Sequence, residues 1–373
     1  MAHSDMMSYG ARPTGTKVSH MRIGSATNER STIGTLLEGV PTGDTATIFW
    51  SRHWKTDLSL VAVLNSFAFD YVMRVRLGGL HLDYHVFEHN PLPKLETVLA
   101  QTRLAHIAAR LNVASSQWSP LWLRATREYG LASLPWKRWW AVTANERLRL
   151  RCVLDALVAD LVGLEFSDMM WMFAKCDSQK QFLHDKAFYR TLDPKGFWRI
   201  DKEKDPELRP TILTLAAFRD LKESIRECGG DRNRGIEAFC TQNNGEGWLV
   251  PETLCIADLG LGHDDRAKKP QAVRSRLGDR FFPWQLEQSV EDSWKECELH
   301  ARNILGAKGY SHLQSELRRK VEYATKAEDL LRVAESQNVD ISSKTGAQRR
   351  LFPGEKTLFS KGMEDPSGTR RRK

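Results

Sequence analysis

The sequence has no closely spaced cysteines and no long apolar segment, which excludes several common classes of protein. Its six cysteines lie at least twelve residues apart, so no CxxC zinc or redox motif is present. This wide spacing favours reduced thiols over a disulfide framework. No run of about 18 apolar residues occurs, and the first residues carry no apolar signal-peptide core. We therefore expect a cytoplasmic protein that makes no contact with a membrane.

The sequence is also poor in catalytic motifs. The nearest match to the Asn-Pro-Pro-Tyr type of tetrapeptide used by amino-methyltransferases is Ser119–Trp122 (SPLW), in which leucine replaces the second proline. Residues 10–17 lack the Ser or Thr that follows the lysine of a phosphate loop. We expect no cofactor bound by this chain and no activity from the chain alone. An unrecognised nuclease is the alternative, which incubation with plasmid and Mg²⁺ would test.

Positive charge is in moderate excess and is unevenly distributed. The chain has 55 basic and 47 acidic residues, a formal net charge of +8. Nine basic and three acidic residues lie in 344–373, which accounts for most of the excess. A folded DNA-binding face must therefore come from local clustering rather than from bulk charge. The tail also contains Gln348–Phe352 (QRRLF), whose outline resembles sliding-clamp ligands, although electrostatic contact with DNA is the favoured role.

The pattern of apolar residues predicts an α+β fold in five parts. Residues 1–20 are rich in Gly, Ser and Thr and are expected to be flexible. Residues 21–95 mix helical and alternating apolar spacing and predict an α+β module. A helical region over 96–228 follows. A second helical region over 229–337, with a helical hairpin or short coiled coil, precedes a disordered basic tail over 338–373.

Individual elements follow from the same spacing. Charged residues and two prolines in 201–210 predict an exposed connection, and Gly and Asn in 229–247 predict a loop. Alternation over 80–86 predicts a strand. Helical spacing predicts helices over 58–77, 95–111, 145–161, 211–225 and 283–305, with Asn145 as the N-cap of the third and Gly163 at its end.

Basic residues beside glycines or aromatics are the best local indication of nucleic-acid binding. Arg74 and Arg76 precede the Gly78-Gly79 pair, where arginines can bind phosphates and glycines permit close backbone approach. A packed helix end explains the same residues equally well. For the clusters 136–140 and 197–199, tryptophans anchored in the core are the favoured interpretation. His81, His85 and His89 are too far apart on a strand to share a metal ion and are interpreted as polar surface.

Three stretches resemble one family. They are 26–40 (ATNERSTIGTLLEGV), 63–93 (beginning VLNSFAFDYVMRVRLGGLHL) and 147–166 leading to 196–223. Together they resemble the C-terminal target-recognition region of type IIG-like restriction–modification and phage-defence adenine-N6 DNA methyltransferases. The resemblance covers roughly residues 20–225 and is weaker to about residue 305. It identifies 21–95 as the target-recognition module.

The resemblance implies that the chain binds DNA and does not itself catalyse methyl transfer. The expected cofactor and catalytic domain is missing upstream, so we expect a recognition subunit that joins a separate methyltransferase, which binds S-adenosylmethionine, or a remnant of a split gene. We expect double-stranded DNA and that methyltransferase as its partners, with a helicase as a further candidate; a structural scaffold with little DNA contact is the alternative. By position, the resemblance and the basic–glycine cluster give these DNA-facing residues: Asn28, Arg30, Asn65, Arg74, Arg76, Gly78, Gly79 and His81.

Overall fold

The computed structural model describes residues 15–336 with some gaps, and the backbone alone beyond residue 319. The gaps are 52, 84–85, 88–89, 91, 94–97, 175–180, 182–183, 188–195 and 262–264. The chain divides into two compact units, Met1–Ala307 and Lys308–Lys373. The first unit combines small antiparallel sheets with a majority of helix, which confirms the mixed α and β composition expected from the sequence.

The first unit begins with a three-stranded antiparallel sheet. Its strands are β1 (Thr16–Met21), β2 (Gly34–Glu38) and β3 (Ala46–Phe49), in the order β2-β1-β3. Val18 lies opposite Leu36 on one side and Phe49 on the other, and both aliphatic residues are buried. The expectation that residues 1–20 are flexible is therefore wrong from Thr16 onward, because the central strand of the sheet begins there.

Two helices, and not the single helix predicted over 58–77, follow this sheet, and the first of them packs against it. Helix α1 (Trp54–Leu64) and helix α2 (Phe67–Arg76) meet at 64°. The Ser66 side chain caps α2 by accepting from Phe69 N, and Asn65 donates to the carbonyls of Gly34 and Val61. These polar contacts satisfy backbone groups that a continuous helix would have used internally, so the chain turns here.

The strand predicted over 80–86 is also absent from its described residues. His81 forms a single bridge with Ile23, and Val86 and Phe87 adopt helical geometry. Residues 84 and 85 lie outside the described part of the chain. The alternation of apolar residues here reflects a short extended contact against the segment after β1 rather than a full strand.

The helical region matches its prediction in the long elements. It comprises α3 (Val98–Asn112), α4 (Ser119–Tyr129), α5 (Ala144–Leu161), α6 (Phe166–Met172), α7 (Trp198–Asp201), α8 (Pro210–Glu227) and α9 (Arg232–Thr241). Helix α5 packs along α8 and is buried on most of its surface. Thr143, and not Asn145, is its N-cap, while Gly163 follows its end with a φ of 77°.

Both connections between these helices differ from expectation. The segment 201–210 is not an exposed connection, because Asp201, Glu207 and Arg209 are each at most 2% exposed. Residues 229–247 are not simply a loop, since α9 lies within them. Gly229 and Gly230 adopt φ values of 71° and 83°, which end α8 as predicted.

The last elements are a short hairpin and a long helical segment. Strands β4 (Thr253–Leu254) and β5 (Gln271–Ala272) pair antiparallel. Helix α10 (Val290–Ser336) is interrupted at Gly306, where φ is 67° and ψ is 173°, so it consists of two helices. The first begins later than the predicted residue 283, and the second lies in the region predicted to contain a helical hairpin or short coiled coil. The tail over 338–373 lies outside the described residues.

No single helix among the described residues is long and apolar enough to cross a membrane. Among the described residues, α1 and α2 reach that length and apolar composition only when taken together, and they are bent by 64°.

Candidate functional site

Several described segments of the first unit form a groove. It has a volume of about 1220 Å³ and is bounded by the 28–35 loop, the α1–α2 junction, the first half of α5 and the 200–210 connection. Its walls include aliphatic side chains such as Ile33, Leu148 and Ile200. The polar side chains that matter for its chemistry are Asn28, Arg30, Asn65, Arg147, Arg151 and Lys204.

The loop that carries Asn28 and Arg30 is held by a buried ion pair on α2. Asp70 and Arg74 are one turn apart, with Arg74 Nε at 2.9 Å from Asp70 Oδ2, and both are 0% exposed. Asp70 Oδ1 accepts from Ser31 N and Thr32 N at 2.9 and 2.7 Å. The pair therefore links residues 28–32 (NERST) to α2 through charged hydrogen bonds, which are stronger than neutral ones.

The guanidinium of Arg74 fixes the same loop from the other side. It donates to the carbonyls of Ala26, Asn28 and Glu29 at 2.7 to 3.2 Å and to the carbonyl of Gly196 at 2.7 Å. A fully buried guanidinium with these partners cannot reach a DNA duplex. The interpretation of Arg74 as a DNA-facing residue is therefore wrong, and the packed helix end is correct: Arg74 positions the loop.

Arg30 lies at the wall of the groove in a constrained position. Its guanidinium is centred 3.6 Å above the ring of Phe67, and its Nη2 is 3.5 Å from Asp155 Oδ2. The Nη1 atom is covered from solvent and has no hydrogen-bond partner among the described residues. Arg30 therefore holds its positive charge at the groove wall with its guanidinium against the aromatic ring.

Positive charge predominates in the groove. Arg151 on α5 is exposed and forms no ion pair or hydrogen bond with the described residues, and Lys204 is exposed as well. Burial of part of its side chain lowers the pKa of Arg151, and the like charge of Arg30 lowers it further. Against these cations stand Glu29 and the buried Asp155. Like charges held together favour an anionic ligand.

Asp155 is the buried acid beneath the groove. Its Oδ1 accepts from Phe67 N at 2.6 Å, and it is 3% exposed. Burial raises its pKa from the ordinary 3.8 to about 6, although Arg30 and the Phe67 hydrogen bond act in the opposite direction. The folded protein therefore holds this proton more tightly than the unfolded chain does.

This raised pKa predicts a pH-dependent stability. The contribution of Asp155 is fully present below the unfolded pKa of 3.8 and is lost as pH rises through the folded pKa of about 6. In that window the free energy of unfolding of the wild type should fall, relative to that of Asp155→Asn, by up to about 1.4 kcal/mol per pH unit. Urea unfolding of both proteins across the window measures the difference. Parallel profiles would contradict the prediction.

The structure brings together only part of the predicted site. Asn28 and Arg30 line the groove, and the Asn28 side chain is exposed. Asn65 lines it too, but its amide is used to join the Gly34 backbone to α1 through three hydrogen bonds. The other predicted residues do not line the groove. They are the buried Arg74 and the exposed Arg76, Gly78, Gly79 and His81.

Sequence reasoning missed the basic residues that line the groove together with Arg30. Arg147, Arg151 and Asp155 follow one another at intervals of four on α5, a spacing that places them on one face of a helix. That spacing was available in the sequence. Lys204 lies in the segment that was interpreted only as an exposed connection, and in the structure it lines the groove.

The remaining sequence motifs have structural roles. Ser119–Trp122 is buried at the start of α4, and Trp122 Nε1 donates to the carbonyl of Val113 at 2.7 Å. Trp136 and Trp140 are buried while Lys137 and Arg138 pair with Glu296 and Glu246, which confirms the core interpretation. The histidines at 85 and 89 and the segment Gln348–Phe352 lie outside the described residues.

Within the described residues, no group of three or more His, Cys, Asp or Glu side chains could hold a metal ion. The lining of the groove is basic and partly apolar. Comparisons of the chain with protein-family profiles, with curated proteins and with solved structures found no match.

Proposed function

We propose that this protein binds DNA as the target-recognition part of an adenine-N6 methyltransferase system of the restriction–modification or phage-defence type. The basic groove is its DNA-contact site. Methyl transfer and S-adenosylmethionine binding belong to a methyltransferase catalytic domain that acts with it. The sequence resemblance suggests this class of system, and one structural observation supports the choice of site.

That observation is the clustering of cations in a chain whose folded part has little net charge. Arg30, Arg147, Arg151 and Lys204 all line one recess. Arg151 has its donors available for a ligand, because no described residue pairs with it. Phosphate oxygens are the natural acceptors for such guanidinium groups. Asn28, exposed at the same wall, supplies an amide of the kind that reads base edges.

Arg151→Gln tests the location of the site. We expect the variant to weaken DNA binding in the same proportion for all sequences and to reduce the slope of log Kd against log salt by about one phosphate contact. Fluorescence anisotropy with labelled DNA at several salt concentrations measures both quantities. The fold should be unaffected, because Arg151 is exposed.

Arg127→Gln is the matched control. Arg127 is an exposed arginine on α4 that does not line the groove, so its loss changes the net charge equally. If both substitutions weaken DNA binding equally, binding depends on the overall charge of the protein. That result would contradict a DNA-contact site in the groove. No measurable binding by the wild type at low salt would refute the proposed function itself.

A structural scaffold with little DNA contact is the second candidate. An exposed aromatic surface favours it: Phe282 and Trp284 are 43% and 41% exposed with rings 6.2 Å apart, and Leu286 beside them is 47% exposed. Aromatic side chains of this kind are frequent anchors of protein interfaces. If this role is correct, Trp284→Ala abolishes assembly with the methyltransferase, while Arg151→Gln leaves the function of the assembled complex unchanged.

A further inference from the structure

We propose that the DNA segment bound in the groove is locally unpaired, so that a few nucleotides of one strand enter it with their bases unstacked. This inference rests on the proposed function and specifies the form of its ligand. Three features of the groove carry it: its concave shape, the fixed plane of Arg30, and the position of Arg151.

The shape of the groove suits a single strand better than a duplex. Proteins read a duplex mainly with convex elements, a helix or a ribbon, that enter the DNA grooves. Here the basic residues lie inside a recess of about 1220 Å³ with aliphatic walls such as Leu148 and Ile200. This volume exceeds the roughly 300–1,000 Å³ that encloses one drug-sized ligand, so more than one nucleotide fits. Aliphatic walls favour bases that have left the stack.

Arg30 supplies a platform for such a base. Its guanidinium is held 3.6 Å from the Phe67 ring centre and within 5.8 Å of that of Phe197, and its side chain is 18% exposed. A guanidinium plane supported on one side by an aromatic ring can stack with a nucleobase on the other. The buried Asp155 and the loop clamp of Asp70 and Arg74 keep the plane in place.

Arg151 is placed to hold the backbone of the same strand. It lies close enough to Arg30 for their charges to interact, and it is exposed to the groove without a described partner. Lys204 contributes a second exposed cation to the lining of the groove, where its Nζ donates to the carbonyl of Ile200 at 2.9 Å. A base on Arg30 and phosphates on Arg151 and Lys204 reproduce the combination of stacking and charged groove by which single strands are bound.

The experiment compares three forms of one labelled DNA sequence: fully paired, with a short central mismatched bubble, and single-stranded. Because the energy of opening the pairs is no longer spent, we expect the bubble to bind about tenfold or more tightly than the paired duplex. Bound paired duplex should gain permanganate reactivity at thymines. Arg30→Lys, which keeps the charge but removes the plane, should abolish the preference for the bubble and leave the salt dependence unchanged.

The outcomes separate this inference from the proposed function. Equal affinity for bubble and paired duplex, with no gain in permanganate reactivity, would overturn the unpaired ligand and leave DNA binding intact. Failure to bind any of the three forms at low salt would overturn the proposed function as well. The wild-type comparison needs no substitution, so a variant that folds poorly does not affect it.

Discussion

Glu146→Ala is expected to lower the free energy of unfolding by about 3–5 kcal/mol, because it leaves three guanidinium groups without their common carboxylate. Glu146 is 0% exposed at the start of α5. Its Oε1 lies 2.7 Å from Arg110 Nη2 and 2.5 Å from Arg149 Nη2, and its Oε2 lies 2.9 Å from Arg280 Nε. Removing one partner from a buried group of charges costs far more than the group contributes when intact.

This cluster also joins parts of the chain that are distant in sequence. Arg110 belongs to α3, Arg149 to α5, and Arg280 to the segment before α10. The three arginines hold the pKa of Glu146 well below its usual range even though burial alone would raise it. A lowered carboxyl pKa gives stability that is fully present above the unfolded pKa of 4.5 and is lost progressively as pH falls from there toward the folded value, so the cluster should keep its full effect at neutral pH and lose it in acid below pH 4.5.

Urea unfolding at neutral pH, followed by circular dichroism, measures the effect. Glu291→Ala is the control, because Glu291 forms an exposed pair with Lys295 at 2.8 Å and its side chain is 79% exposed. Exposed pairs contribute about 1 kcal/mol at most. A loss of similar size in both variants would show that the Glu146 cluster does not carry the packing of α3 against α5.

The long helices were predictable because their sequences carry a repeated signal. Helices α5 and α8 each have apolar residues at helical spacing over 18 residues and end near glycines with positive φ. The predicted secondary structure was wrong mainly where a single polar side chain decides the local backbone structure. Asn65 and Ser66 break the predicted helix by bonding to backbone groups, one of them in a strand 31 residues away. The local sequence around Asn65 does not indicate a hydrogen-bond partner that lies so far away in the chain.

Buried charges account for the other errors. The segment 201–210 has the composition of an exposed connection, but Asp201 is buried with its carboxylate bonded to Thr211. Arg74 stands in a sequence context typical of a DNA contact. In the structure its charge is neutralised by Asp70 one turn earlier, and its donors bond to carbonyls of the 26–29 segment. In both places a polar residue is satisfied by partners that only the fold brings near. The basic–glycine pattern therefore misassigned Arg74, which positions the 26–32 loop.

Arg74→Ala should have the second large effect, a loss of about 3–5 kcal/mol, because Asp70 is left as an unpaired buried charge. Several carbonyls, those of Ala26, Asn28, Glu29 and Gly196, also lose their donor. Arg74→Lys keeps a charge beside Asp70 but has too few donors in the right plane, so an intermediate loss is expected. Thermal and urea unfolding measure the series.

Arg76→Ala is the internal control, since Arg76 is an exposed arginine near the end of the same helix. A surface substitution of this kind usually changes stability by about 0.5 kcal/mol or less.

DNA binding gives a second readout: where Arg74→Lys remains folded, it should still weaken binding, because the loop that carries Arg30 has lost its anchor. Equal stability of the Arg74 and Arg76 variants would contradict the clamp. Unchanged DNA binding in a folded but destabilised Arg74→Lys variant would show that anchoring of the loop by Arg74 is not needed for DNA binding in the groove.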